Sequence, residues 1–366
     1  MRKKNSIVVG LILVFFIFSM SGCLDNISFD GSVTYEAHPT KIQYTIRYGY
    51  FVNCSGSGKH EVEYNCSLPE VLRGTLIYDL LYKQDYENIV IVNNSFIRWN
   101  ITGTDDNNYK LGVETNVSVE NFLVTDLNGK GASTLEEIQT LHPDVVDKYC
   151  QDQIDSGLAY LESNNTFIKS SAESVLDQVD NNNSFLVAKG LFQWLKQNTE
   201  YKTHTDDNSV QRAMRTYQLR TGDCDDLSFL YISLCRSVGI PARFISGFLV
   251  EETNGFQSAV RHAWVEVFVG ENITDDGWIS VECACNASIK TEINQNFGVE
   301  DVGHLRLFKD DGSNESLNIS ISPALRAYSY NPDMNIDIIK FVEIDNYSVL
   351  ESKELFIDGN GNRAYK

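Results

Sequence analysis

The 366-residue chain carries 50 acidic residues against 30 Lys and Arg, a formal charge of −20. That balance argues against a nucleic-acid partner, because affinity for a phosphate backbone comes largely from Lys and Arg. A hydrophobic fraction of 42 %, with 18 Tyr and 19 Phe, excludes a mainly disordered chain and supplies core for roughly two or three domains.

Arg2, Lys3 and Lys4 open the chain, Ile7 to Phe18 is apolar apart from Gly10, and Ser19-Met20-Ser21-Gly22-Cys23 follows. This reads as a secretory signal, too short for a membrane span. Small residues before a cysteine suit a lipoprotein-type cleavage site, with Cys23 taking the lipid; simple cleavage and an uncleaved anchor are the alternatives. Residues 1–23 are thus expected to export the protein and hold it on a membrane at the cell surface. Eight cysteines suit an oxidising compartment. Cys54 and Cys66 flank Ser55-Gly56-Ser57-Gly58, where a hairpin disulfide is plausible; Cys150, Cys235, Cys283 and Cys285 cannot be paired from sequence. Asn-x-Ser/Thr sequons, at Asn53, Asn65, Asn100, Asn116 and Asn272 among others, are compatible with an exported glycoprotein.

Residues 24–125 read as short strands separated by turns. Lys41 to Tyr48 and Asn116 to Glu120 alternate at period two, and Ile89 to Val92 is a β-branched run. A small β-sandwich is expected. Residues 126–322 turn helical and then mixed. Ser133-Thr134-Leu135-Glu136-Glu137 marks a helix start, and Phe185, Val187, Ala188, Leu191, Phe192 and Leu195 form a 3.6-period stripe after Ser184. Residues 323–366 are polar and weakly patterned, either closing the sheet or covering the core. Asp358-Gly359-Asn360-Gly361-Asn362 has a superficial likeness to a calcium loop but lacks the distal Glu, and reads as a flexible tail.

The chemistry centres on Arg220-Thr221-Gly222-Asp223-Cys224-Asp225-Asp226-Leu227. Asp223 is a good N-cap, and Asp225 and Asp226 suit a first helical turn. Leu227, Leu230, Tyr231, Leu234 and Val238 recur at spacings of three and four until Gly239-Ile240-Pro241 stops the helix. Cys224 shares that face and sits where the helix dipole favours thiolate. The flanking carboxylates oppose the effect, so a nearby imidazolium is needed. Arg261 to Val269 alternates as a strand, with His262, Trp264, Glu266 and Phe268 on one side, and Trp278 to Glu282 follows the turn Gly270 to Gly277. A hairpin would bring Glu282 near the cross-strand or diagonal position to His262. Cys224, His262 and Glu282 then make the nucleophile, base and orienting acid of thioester chemistry. A metal set of Cys224, His262, Cys283 and Cys285 matches no standard zinc spacing, and no metal or cofactor is expected.

Asn198 to Tyr201, Arg220 to Asp226, Arg236 to Arg243, His262-Ala263-Trp264-Val265-Glu266 and Trp278 to Glu282 resemble the transglutaminase-like superfamily over about residues 160 to 310. The resemblance implies an α+β, papain-like core, in which a helix starting at the cysteine packs on an antiparallel sheet behind a β-sandwich-like domain. It implies Cys224 as nucleophile, His262 as base and Glu282 as acid, with Trp278 matching the Trp before that acid. Two departures stand out: the family usually has Asp where this chain has Glu282, and Pro-Thr where it has Cys283-Ala284. An oxyanion hole would use the Cys224 N–H. Gln218 and Tyr217 are candidates for its second donor, and Trp264 and Trp278 are support candidates. The function expected is an amide- or peptide-directed thiol enzyme, hydrolysis favoured over cross-linking, acting on a protein or peptide substrate, cell-envelope material included. The alternative is a catalytically weak surface module on the same fold.

Overall fold

The computed structural model describes residues 36–70, 78–91, 94–155, 157–179, 182–203, 210–253, 256–322 and 324–365; the expectations for residues 1–23, Cys23 included, lie outside these. The N-terminal part contributes β1 (Glu36–Ser55), β2 (Lys59–Ser67), β3 (Tyr78–Leu80), β4 (Tyr86–Ile91), β5 (Asn94–Thr104), β6 (Asn107–Glu120) and β7 (Phe122–Leu123). The middle runs α1 (Leu135–Leu141), α2 (Pro143–Tyr149), β8 (Gln153–Asp155), β9 (Leu158–Leu161), α3 (Thr166–Leu176), α4 (Ser184–Asn198), β10 (Glu200–Tyr201), α5 (Ala213–Leu219), β11 (Thr221–Gly222) and α6 (Cys224–Ser237). Then come β12 (Ala242–Thr253), β13 (Phe256–Phe268), β14 (Trp278–Val281), α7 (Lys290–Gln295), β15 (Val299–Glu300), β16 (His304–Lys309) and α8 (Asn314–Ile321). The chain ends with β17 (Leu325–Ser329), β18 (Asn335–Ile357) and β19 (Arg363–Tyr365). Among the described residues no helix is long and apolar enough to cross a membrane.

Antiparallel sheets of order β19-β18-β1-β6-β3 and β17-β2-β5-β4 make the sandwich. Strand β2 buries alternate residues, His60, Val62, Tyr64 and Cys66, as one-face burial requires. Tyr64 stacks on its cross-strand partner Trp99 with centroids 5.4 Å apart. The C-terminal residues, whose pattern assigns no element, complete both sheets. Strand β18 pairs with β1 from Glu36↔Leu355 to Ser55↔Asn335. Most of its side chains stay exposed or half-buried, so no apolar alternation is required of it and none appears in the sequence. Asp358 to Asn362 forms the ordered turn into β19, not a flexible tail: Asp358 Oδ1 accepts from the Asn360 and Asn362 amides at 2.8 and 2.9 Å.

The expected Cys54–Cys66 disulfide is absent. Both thiols are free and buried. Cys54 lies at the turn end of β1, and Cys66 near the far end of β2, in the opposite sheet. At roughly 3.3 Å per residue that separation far exceeds the ~7 Å a disulfide spans between Cα atoms. The other cysteines among the described residues are free as well.

Strands β14-β13-β12-β16 form the sheet of the second unit, with helices on one face. Helix α6 is buried from Asp226 to Arg236 on every side, more than the single stripe in its sequence implies. Phe229, off that stripe, packs on Phe244 of β12 and Tyr160 of β9, while Tyr231, on it, meets Phe192 and the Ala188 carbonyl of α4. Its C-terminus is locked by Arg236, fully buried. The guanidinium pairs with Asp310 at 3.0 Å and donates to Ala242 O at 2.7 and 2.9 Å and to Gln151 O at 2.7 Å. This ties the helix end to the start of β12 and explains why an arginine opens the Arg236 to Arg243 segment. Replacing Arg236 with Ala should leave a buried, unpaired Asp310 and cost about 3–5 kcal/mol in urea unfolding. A loss below about 1 kcal/mol would show that the lock is dispensable.

Candidate active site

Strand length places the nucleophile. The last pair of the β13–β14 ladder is Val265↔Val281. Val269 N–H, on the same row as Ala263, points to the β14 side, donating to Gly277 O at 2.8 Å, whereas Phe268 N–H points the other way, to Pro241 O at 2.9 Å. Ala263 continues the row beyond the end of β14, and its free N–H takes the Cys224 sulfur. Cys224 reaches this spot as the first residue of α6, after the N-cap Asp223. Asp226, fully buried, accepts from Asp223 N at 3.2 Å and from Gln211 N and Nε2 at 2.7 and 2.8 Å, fixing the helix start.

Past Val281 the chain turns away, Glu282 N donating to Asn296 O at 3.0 Å. The Glu282 side chain returns to the sheet, where its Oε2 meets His262 Nε2 at 2.7 Å. Its Oε1 accepts from Ala284 N at 2.7 Å. Lys196 of α4 holds the Cys283 and Cys285 carbonyls, the latter at 2.9 Å, and so pins this turn. With Nε2 committed to the carboxylate, Nδ1 is the ring nitrogen that Glu282 leaves open. Trp264 lies parallel to the His262 ring, centroids 5.9 Å apart, and its N–H is committed to Glu300 at 2.9 Å. It is a shelf for the base rather than an oxyanion donor.

Three other sequence candidates lie elsewhere. Tyr217 hydrogen-bonds Ser171 at 3.1 Å, stacks on Trp194 and carries the Arg220 guanidinium. Gln218 is exposed. Trp278, at the far end of β14 from Glu282, packs on Tyr149 and Phe268 beneath Arg243. The Cys224 N–H, in the first turn of α6, has no acceptor within the helix.

Sequence reasoning missed two neighbours. His304, on β16, sends Nε2 to the same Glu282 Oε2 at 3.3 Å and Nδ1 to Asp301 at 2.8 Å. Its only sequence signal is a histidine preceded closely by an acid, on a strand reached through a long loop. Tyr201 pairs with Gly222 across β10 and β11, next to the nucleophile turn, and its phenol faces Cys224, Asp223 and Glu282. His262, Glu282 and His304 offer donor atoms within 4.8 Å of one another, as do Asp223, Cys224 and Asp225. In the first group the Glu282 oxygen already takes both ring nitrogens. Cys283 belongs to neither group and is buried in the core.

Electrostatics around Cys224 oppose the thiolate. Burial pushes the Cys224 thiol well up, the charges of Asp225, Asp223 and Glu282 push further, and the Ala263 N–H only partly offsets them. Burial alone would raise Glu282, yet His262 and His304 hold its carboxyl far below the usual range. Beside it, Glu266 pairs with Arg243 at 2.5 Å and Arg306 at 2.6 Å, and Arg306 also pairs with Glu300 at 2.5 Å. This group anchors Trp264 under the base.

Residues 172–283 match the family model described as the transglutaminase-like superfamily. Among solved structures, a candidate cysteine protease from Cytophaga hutchinsonii aligns at 15 % identity and TM-score 0.54, covering 91 % of this chain and 100 % of its own. The likeness is one of fold. The periplasmic domain of TgpA from Pseudomonas aeruginosa aligns at 13 % identity and TM-score 0.33, over 68 % of this chain and 88 % of its own. A candidate protease from Parabacteroides distasonis aligns at 12 % identity and TM-score 0.27, over 76 % of this chain and 48 % of its own. No curated protein matches this chain.

Against burial, which raises it, the two arginines pull the Glu266 carboxyl down to about 2. A depressed acid stabilises the fold above its unfolded pKa, and that stability is lost as pH falls towards the folded value. Glu266 should therefore contribute about 3 kcal/mol, fully present above pH ~4.5 and lost by pH ~2. Urea midpoints of Glu266→Gln should start lower at neutral pH and fall less than wild type over that window. Parallel acid limbs would refute the assignment.

Proposed function

With a transglutaminase-like core as premise, we propose that the protein is a thiol enzyme that attacks amide or peptide bonds through a Cys224 thioester. One observation carries this reading: the Cys224 sulfur meets the Ala263 N–H at the open edge of β13, one residue along the strand from His262, whose Nε2 is held by Glu282, leaving Nδ1 to act as the base. His262 takes the thiol proton as the sulfur attacks the carbonyl carbon. The oxyanion forms against the Cys224 N–H at the α6 start. The imidazolium returns the proton to the leaving nitrogen as the C–N bond breaks. Water then attacks the thioester with His262 again as base, the C–S bond breaks and the thiol regains its proton. A Lys amine in place of water would give an isopeptide cross-link, and hydrolysis is the favoured outcome for an exported chain.

The signal-like residues before Cys23 support a protein held on a membrane at the cell surface, working on protein or peptide there. The second reading is a catalytically weak surface module; burial and three nearby carboxylates opposing thiolate favour it. Cys224→Ala decides between the two. Turnover of an unfolded protein substrate should fall by about 10⁴-fold while the unfolding midpoint stays put. An alkylamine probe added to the wild type then separates hydrolysis from transfer. Turnover retained in Cys224→Ala would refute the enzyme reading.

A further inference from the structure

The usual acid of this core is one methylene shorter than Glu282, so the longer side chain has more rotamers in which it misses the base. The geometry points to what removes that freedom. Glu282 Oε2 lies between two rings, His262 Nε2 at 2.7 Å and His304 Nε2 at 3.3 Å. His304 Nδ1 in turn meets Asp301 Oδ1 at 2.8 Å, and that oxygen also accepts Gly303 N at 2.9 Å. A neutral imidazole has one N–H; a ring with a carboxylate at each nitrogen donates twice and must be charged. We propose that His304, doubly protonated and held by Asp301, is a positioning residue that fixes Glu282 beneath His262, making a five-member set Cys224–His262–Glu282–His304–Asp301. This rests on the reading of Cys224 and His262 as nucleophile and base.

Charge and packing agree. Burial would lower the His304 pKa, but the charges and hydrogen bonds of Asp301 and Glu282 raise it well above the ordinary value. Asp301 is held down to about 2, His304 and Arg363 outweighing burial. His262 and Trp264 face His304 from β13, with the Trp264 ring at 4.9 Å, Glu282 faces it from just past β14, and Asp301 from its own loop. Arg363 on β19 and His38 on β1 act on Asp301 from the sandwich strands. A bare Glu282–His304 pair would be neutral and would stabilise a His262 imidazolium weakly. Adding Asp301 returns the charge to −1, that of a lone carboxylate beside the base.

Nitrogen-15 spectra of the histidine rings in the full, resting chain test this without substrate, with His304→Gln identifying the signal. His304 should show protons on both nitrogens from pH 6 to 8, and Asp301→Asn should bring its titration into that window. A His304 ring that is neutral at pH 7 would overturn the proposal. Iodoacetamide labelling of Cys224 should slow by about 10- to 100-fold in His304→Ala, with an altered pH profile. An unchanged rate and profile would also overturn it; if His304→Ala does not fold, Asp301→Asn is read in its place. Should the protein cleave no amide at all, the proposed function fails while the ring spectra and labelling still decide the role of His304.

Discussion

The site depends on where one strand ends. Strand β14 leaves the ladder at Val281, so the amide row of β13 runs one position beyond its partner. Two consequences follow from the same break. The unpaired Ala263 N–H accommodates the Cys224 sulfur. The next residue after the break, Glu282, is free of the ladder and can reach diagonally to His262. A β14 longer by two residues would fill the sulfur's place with its own backbone. The buried start of α6, held by Asp226 and Gln211, delivers Cys224 to that gap and to no other.

Around this gap the protein concentrates buried charge. Glu266, Arg243, Arg306 and Glu300 pair beneath Trp264, and Glu282, His304 and Asp301 continue the chain on the base's other side. Buried pairs of this kind are poor sources of stability compared with apolar packing, because desolvation offsets much of the attraction. Their use here is directional. Each fixes a ring or a carboxylate whose misplacement by about an ångström would cost catalysis far more than it would cost folding. The charges of Asp225, Asp223 and Glu282 also oppose a thiolate at Cys224.

Much of this was legible in the residues. Asp223 before Cys224, the apolar spacing after it and Gly239-Ile240-Pro241 place helix α6 within a residue of its observed ends. The alternation from Arg261 and the turn to Gly277 give the hairpin and, through it, the His262–Glu282 contact. What stayed hidden was non-local. Strand β18 finds its partner β1 some 300 positions away and is exposed enough to need no apolar code. His304 acquires a role only because β16 pairs with β12 and brings it beside Glu282. The Cys54–Cys66 pairing misread a turn between two sheets as a hairpin within one.

The account stands on Cys224, His262 and Glu282 forming one reactive unit. Iodoacetamide labelling of the folded protein, read by mass spectrometry at pH 7, measures that unit directly. Cys224 should label faster than the other six free cysteines of the described residues, and His262→Ala and Glu282→Gln should each abolish the advantage. Labelling of Cys224 that is no faster than that of the other cysteines, or is indifferent to both substitutions, would contradict it.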